Sequence, residues 1–153
     1  MCRKVLRCAS DYQQRISGPL LDRMDIQIEL PAVKISDLTL PASKEASADV
    51  AVRVAAARLR QRERFAKLGV GHLRLNAEAD GALLEEIVQP DQAGLKLMRD
   101  AADAMGLSAR GYHRVLRVAR TLADLDGRDQ VARLHIAEAL SYRQKLAAFQ
   151  AAA

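Results

Sequence analysis

Residues 106–127 read GLSARGYHRVLRVARTLADLDG, and this stretch decides the fold class. Wound at about 100° per residue, Tyr112, Val115, Leu116, Ala119 and Leu122 fill one arc of a helix. Arg110, Arg114, Arg117 and, at the margin, Arg120 line the opposite side. Ser108 is a good N-cap, because its hydroxyl can accept from a backbone N–H two or three residues on. Leu107 and Tyr112 stand where a hydrophobic staple would sit, and the Asp126-Gly127 pair ends the helix near Leu125. Four guanidiniums on one stripe repel one another unless an anion or acidic surface faces them. The plainer reading is a solvated face with Asp124, Asp126 and glutamates of other helices as counter-charge. The sharper one is a phosphate contact. It suits Arg110 best, since the first turn of a helix already favours an anion and a guanidinium is a natural phosphate ligand.

Helical patterns of the same kind flank this segment. One runs from about Ser47, a plausible N-cap, to Leu68, with Val50, Val54, Ala57, Phe65 and Leu68 on one face. Others run from about Glu78 to Val88, stopped by Pro90, and from Asp91 to Met105, with Leu95, Met98, Ala102 and Met105 inward and Gly106 terminating. A last one begins near Val131 or His135 and carries through Leu140 towards Phe149. Upstream, Ile26, Ile28 and Leu30 alternate with Gln27 and Glu29, the period of a half-buried strand, and Pro31 ends it. A lone strand makes no sheet, so residues 1–42 read as the edge of something larger, with the division from the helical part near residue 42.

Composition agrees. The chain has 153 residues, 50% hydrophobic and 3% aromatic, with no Trp. A core is affordable, but it must be built from Ala, Leu, Val and Ile. No run of 18 apolar residues suggests a spanning helix, and MCRKVLRCAS has no apolar region behind its positive charge to make it a secretory signal. A soluble, cytoplasmic, mainly α-helical protein is expected. The net charge of +5 is unevenly placed. Between Val50 and Leu68 stand Arg53, Arg58, Arg60, Arg62, Arg64 and Lys67 against Glu63 alone. Arg53, Arg60 and Arg64, with Arg114 and Arg117, are candidates for a basic face that meets DNA phosphates. Ion pairing within the protein or between subunits is an equal alternative, and no aromatic residues interleave for base stacking.

The segment RISGPLLDRMDIQIELP, residues 15–31, taken alone suggests a local salt bridge within Asp22-Arg23-Met24-Asp25. Together with LSARGYHRVLRVARTLADLDG, the following HIAEALSYR, the helix ADVAVRVAAARLRQRERF and Leu75-Asn76, it closely resembles the C-terminal part of a known family. These are the magnesium-chelatase-like AAA+ ATPases of the bacterial competence-protein (ComM/YifB) type, relatives of the MCM helicases. The likeness runs from Tyr12 to Arg143. It implies a helical-bundle lid, residues 43–153, behind a one-strand remnant of the α/β ATPase core, residues 1–42. In the family's Leu-Leu-x-Arg-hydrophobic-Asp segment the Arg is the arginine finger, which reaches the ATP of a neighbouring subunit, and Arg23 matches it. An Arg at the start of a lid helix in a Ser/Thr-x-Arg setting is the sensor-2 residue, and Arg110 matches that. The resemblance further implies a hexameric ATPase using ATP and Mg and acting as a DNA motor, of the branch-migration or helicase kind, in DNA uptake and recombination.

The sequence contains no G-x-x-x-x-G-K-[ST] and no strand ending in paired acids before residue 25. The chain is therefore expected to need a missing N-terminal core, to hydrolyse no ATP by itself and to hold no cofactor alone. Whether it counts as an enzyme rests on that core. The family's cysteine cluster is reduced to Cys2 and Cys8, and His72, His113 and His135 lie on separate elements, so no metal site is expected. Two other functions stay open: a chelatase-type protein-remodelling ATPase subunit for magnesium insertion, and a stand-alone helical binding module.

Overall fold

The computed structural model describes residues 20, 22–28, 30, 32–36, 41 and 45–143. Among them are five helices: α1 (Ser47–Lys67), α2 (Gly81–Val88), α3 (Gln92–Met105), α4 (Ala109–Leu125) and α5 (Arg133–Ser141), with a short 3-10 turn at Asn76–Glu78. The protein is mainly α-helical, as its periodicity indicates. Helix α4 is the hub, packing against α1, α2, the 3-10 turn and α5, while α3 packs on α5. Val115, Leu116, Ala119 and Ala123 of α4 meet Phe65, Leu84, Val88, Met98, Ile136 and Leu140 in one core. Among the described residues Phe65 is the only Phe or Tyr that is buried, and close helix approach makes up for the missing bulk.

That approach is visible where α3 and α5 begin. A Cβ at Gly94 would stand 2.9 Å from Asp91 Oδ1 and 3.3 Å from the Pro90 ring. Asp91 caps α3 by accepting from the Gly94 N–H at 2.6 Å and also accepts from the Arg133 N–H at 3.3 Å. One carboxylate thus ties two helix starts together and satisfies orphan donors of each. Ser108 caps α4 as expected, accepting from Gly111 N–H at 3.0 Å. On α3, Met98 is fully buried and Leu95, Ala102 and Met105 are partly so.

Three expectations change. Ser47 is the first helical residue of α1 and does not cap it. Ala46 holds the cap position, and Asp49 accepts from the Ala46 N–H at 3.0 Å. The inward strip of α1 is Ala57, Gln61 and Phe65, while Val50 and Val54 lie in its exposed N-terminal half. The alternating segment forms no ladder over its described residues, Ile26–Ile28 and Leu30; Ile28 is 67% and Leu30 84% exposed. Alternation marks a strand only where a neighbouring strand accepts its hydrogen bonds, and here the Gln27 N–H donates instead to Tyr142 O, at the end of α5. The expected continuation of α5 towards Phe149 lies outside the described residues.

Candidate functional site

Two arginine-rich places emerge from the packing, one interior and one at a corner. The interior one centres on Asp124, buried on the inner side of α4. Its carboxylate takes a two-pronged ion pair from Arg64 of α1, one bond at 3.1 Å and the other shorter. It also accepts from Arg120 Nη2 at 3.0 Å and from Asn76 Nδ2 at 2.8 Å. Arg120 is wholly buried and donates onward to the carbonyls of Arg128 and Asp129. Burial lowers the pKa of its guanidinium from the ordinary value, opposed by the adjacent Asp124 charge; a guanidinium stays protonated regardless. Arg120, placed at the margin of an outward stripe by its helical angle, is therefore an interior residue. Asp124 supplies the counter-charge that makes its burial tolerable.

The corner lies where the 22–27 segment meets the start of α4 and the end of α5. Asp22 accepts from Ser108 Oγ at 2.9 Å and from Arg143 Nη2 at 2.7 Å. Arg143 is only 2% exposed and also reaches Met24 O at 3.3 Å. Arg114 donates to Asp25 Oδ1 at 2.6 Å and, through the same nitrogen, to the Arg23 carbonyl. The acids flanking Arg23 thus pair across the fold, not within the turn as the sequence alone suggested. The Arg23 side chain is exposed, with no ion-pair partner among the described residues. Arg110, in the first turn of α4 and two residues beyond Ser108, is likewise exposed and unpaired among them. The Asp22–Ser108 hydrogen bond brings the two segments together.

The remaining candidates scatter. Arg117 donates to Ala79 O at 2.9 Å and to Asp80 at 3.0 Å, which pins α4 to the cap of α2. On α1, Arg53 pairs with Glu45 at 2.6 Å and Arg60 reaches Asp129 at 3.5 Å, both pairs open to solvent. Arg64, Arg114 and Arg117 are committed to carboxylates and largely covered, so the solvent-facing basic side of α1 runs through Arg58 and Arg62, with Arg53 and Arg60 in their open ion pairs. Gly111 and Arg143 were not singled out from the sequence, and Asp22 was read only as part of a local salt bridge. Their signal was faint: an Asp beside the candidate finger and an Arg closing HIAEALSYR, more than a hundred residues apart. Gly111 shows its reason only in space. A Cβ there would stand 3.2 Å from Asp22 Oδ1 and 3.3 Å from Arg143 Nη2.

Among the described residues no three His, Cys, Asp or Glu side chains group as metal ligands, and Cys2 and Cys8 fall outside them. His113 lies 3.8 Å from Asp80. His135 is buried, accepting from Ala132 N–H at 2.9 Å while its other nitrogen faces Asp126 at 3.1 Å. No described helix is long and apolar enough to cross a membrane.

Comparison with known proteins decides the family. The model described as magnesium chelatase, subunit ChlI C-terminal, matches residues 44–143, and a second, magnesium chelatase subunit ChlI, matches residues 1–38. The chain belongs to the magnesium chelatase family. Within it, the chain is 40% identical over 133 residues to the uncharacterized protein YifB of Salmonella typhimurium, covering 86% of this chain and 25% of that protein. It is 38% identical over 133 residues to the competence protein ComM of Haemophilus influenzae, at 86% and 25% coverage. With the uncharacterized protein Rv2897c of Mycobacterium tuberculosis it shares 39% over 133 residues, at 87% and 26%. The chain spans about a quarter of the length of these relatives. It is a ComM/YifB-type member, matching a C-terminal portion of the family.

Proposed function

We propose that this chain is the lid and arginine-finger region of a cytoplasmic AAA+ ATPase that moves DNA, with residues 1–42 as the edge of the ATPase core and 43–153 as the lid. The observation that carries the reading is the division of labour at the corner. Arg114 and Arg143 are used up on Asp25 and Asp22, while Arg23 and Arg110, beside them, have no carboxylate partner among the described residues. Unpaired guanidiniums near a helix N-terminus suit the terminal phosphate of a nucleotide. Arg23 is the finger and contacts the ATP of a neighbouring subunit in a hexamer; Arg110 senses the phosphate from the lid. ATP supplies the transferable phosphoryl group and its accompanying Mg. Asp22 and Asp25 are occupied by arginines, so this corner provides cations for phosphate oxygens and leaves the magnesium ligands to the rest of the ATPase.

In the complete ATPase, Arg23→Ala is expected to cut ATP hydrolysis by about 10³-fold or more, the scale of a lost arginine finger. Hydrolysis at the unaltered rate would end the finger assignment. DNA as the object of the motor is supported by the competence name of one relative and by the open basic side of α1. Neutralising Arg53, Arg58 and Arg62 together should weaken binding to branched DNA and flatten its salt dependence. The family model's own description favours a second reading, a chelatase-type remodelling subunit. Salt-insensitive or absent DNA binding by the complete protein would turn the argument that way.

A further inference from the structure

An arginine finger works only if its backbone is held where the side chain can reach a phosphate that forms in another subunit. A free segment would have to be ordered at each turnover, and that cost is paid out of the rate. Here the segment is not free. Asp22, immediately before Arg23, is gripped from two sides, by Ser108 Oγ at 2.9 Å and Arg143 Nη2 at 2.7 Å. Immediately after it in space, Arg114 holds the Arg23 carbonyl itself. We infer that Asp22 is a positioning residue that joins the finger segment to the first turn of α4, so that any movement of the Arg110 turn carries Arg23 with it. The inference rests on the finger reading above.

Three features give the joint its stiffness. The Asp22–Arg143 pair is charge-assisted and its guanidinium is 2% exposed, so solvent screens it little. The Nε atoms of Arg114 and Arg143 are buried with no acceptor. Their hold on the interior therefore depends on the two carboxylates of the finger segment, and losing either carboxylate leaves a poorly solvated cation behind. Finally, the absence of a side chain at Gly111 lets the Asp22 carboxylate sit directly on the α4 turn. The glycine is tolerated at a helical position where Ala would raise intrinsic helicity. A lid that senses nucleotide through Arg110 is thereby linked to the finger through the Ser108–Asp22 hydrogen bond.

The test has two parts. In the 153-residue chain, Asp22→Asn should speed amide exchange at Gln27, whose N–H is held by Tyr142 O, by about tenfold or more while the α4 core amides keep their protection. Unchanged exchange would overturn the joint whatever the activity. In the complete ATPase, Asp22→Asn and Gly111→Ala should each lower kcat about tenfold and leave KM for ATP within about twofold, since they displace the finger without touching the nucleotide. Gly111→Ala reaches the same joint by another route, because it keeps the Asp22 charge and displaces the carboxylate only by its Cβ, and urea unfolding of each variant separates a shifted joint from an unfolded bundle. Full kcat in both variants, beside an inactive Arg23→Ala, would refute the positioning role and spare the finger. Full kcat in Arg23→Ala would remove the finger reading and the role of Asp22 with it.

Discussion

The Asp124 hub and the Arg23–Arg110 corner are built from the same residue type, yet arginine does opposite work in them. At the hub one carboxylate and one amide meet two guanidiniums, Arg120 is wholly buried, and its outward donors end on backbone carbonyls. At the corner two carboxylates meet Arg114 and Arg143, and two further guanidiniums stay in solvent. Guanidiniums outnumber carboxylates two to one in both places, so the difference is one of position. Where buried carbonyls take up the remaining donors, arginine cements helices; where the surplus arginines stand in solvent at a helix start, they are available to a phosphate.

The largest expected effect is at the hub. Asp124→Ala leaves Arg120 buried and unpaired and frees Arg64 from α4, and should cost about 3–5 kcal/mol, measured by urea unfolding of the chain. A loss under 1 kcal/mol would mean that water reaches Arg120 and the hub is no keystone. Ser108→Ala at the corner removes a helix cap and one of the two grips on Asp22, for about 1 kcal/mol. A melting temperature equal to that of the parent chain would contradict it.

A smaller effect concerns acid. Glu78 is held below its ordinary 4.5 by backbone N–H groups of Arg74 and then Leu75. A carboxylate lowered in the folded state stabilises fully above its unfolded value and loses that contribution as pH falls through the folded one. Glu78→Gln should therefore narrow the gap between melting temperatures at neutral and acidic pH, slightly because the group is exposed, and an unchanged gap would dismiss the contribution. The smallest effect is on the other side of the comparison. Arg110→Ala should leave stability within about 0.5 kcal/mol while lowering ATP hydrolysis in the complete protein; a clear loss of stability would show that Arg110 is structural after all.

Much of this was legible from residue order. The inward arc of α4, the Ser108 cap, the stop at Gly106 and the inward strip of α3 all follow from local rules, because a helix is closed by bonds between near neighbours. The motifs around Arg23 and Arg110 were equally local, and led to the family. What local rules could not assign was the partner of each charge. Asp22 and Asp25 looked like neighbours for Arg23, yet their partners lie 121 and 89 residues away. Arg120 looked like one more member of an outward stripe, and Ile26, Ile28 and Leu30 like a strand.

The sequence by itself determined the helices, the Ser108 cap and the motifs that hold Arg23 and Arg110, since propensity, periodicity and capping act over a few residues. Only the tertiary structure decided which of the many arginines are spent on the fold and which remain free. Coulombic and hydrogen-bond partners are chosen by distance in space, and that distance exists only once α1, α4 and α5 have packed.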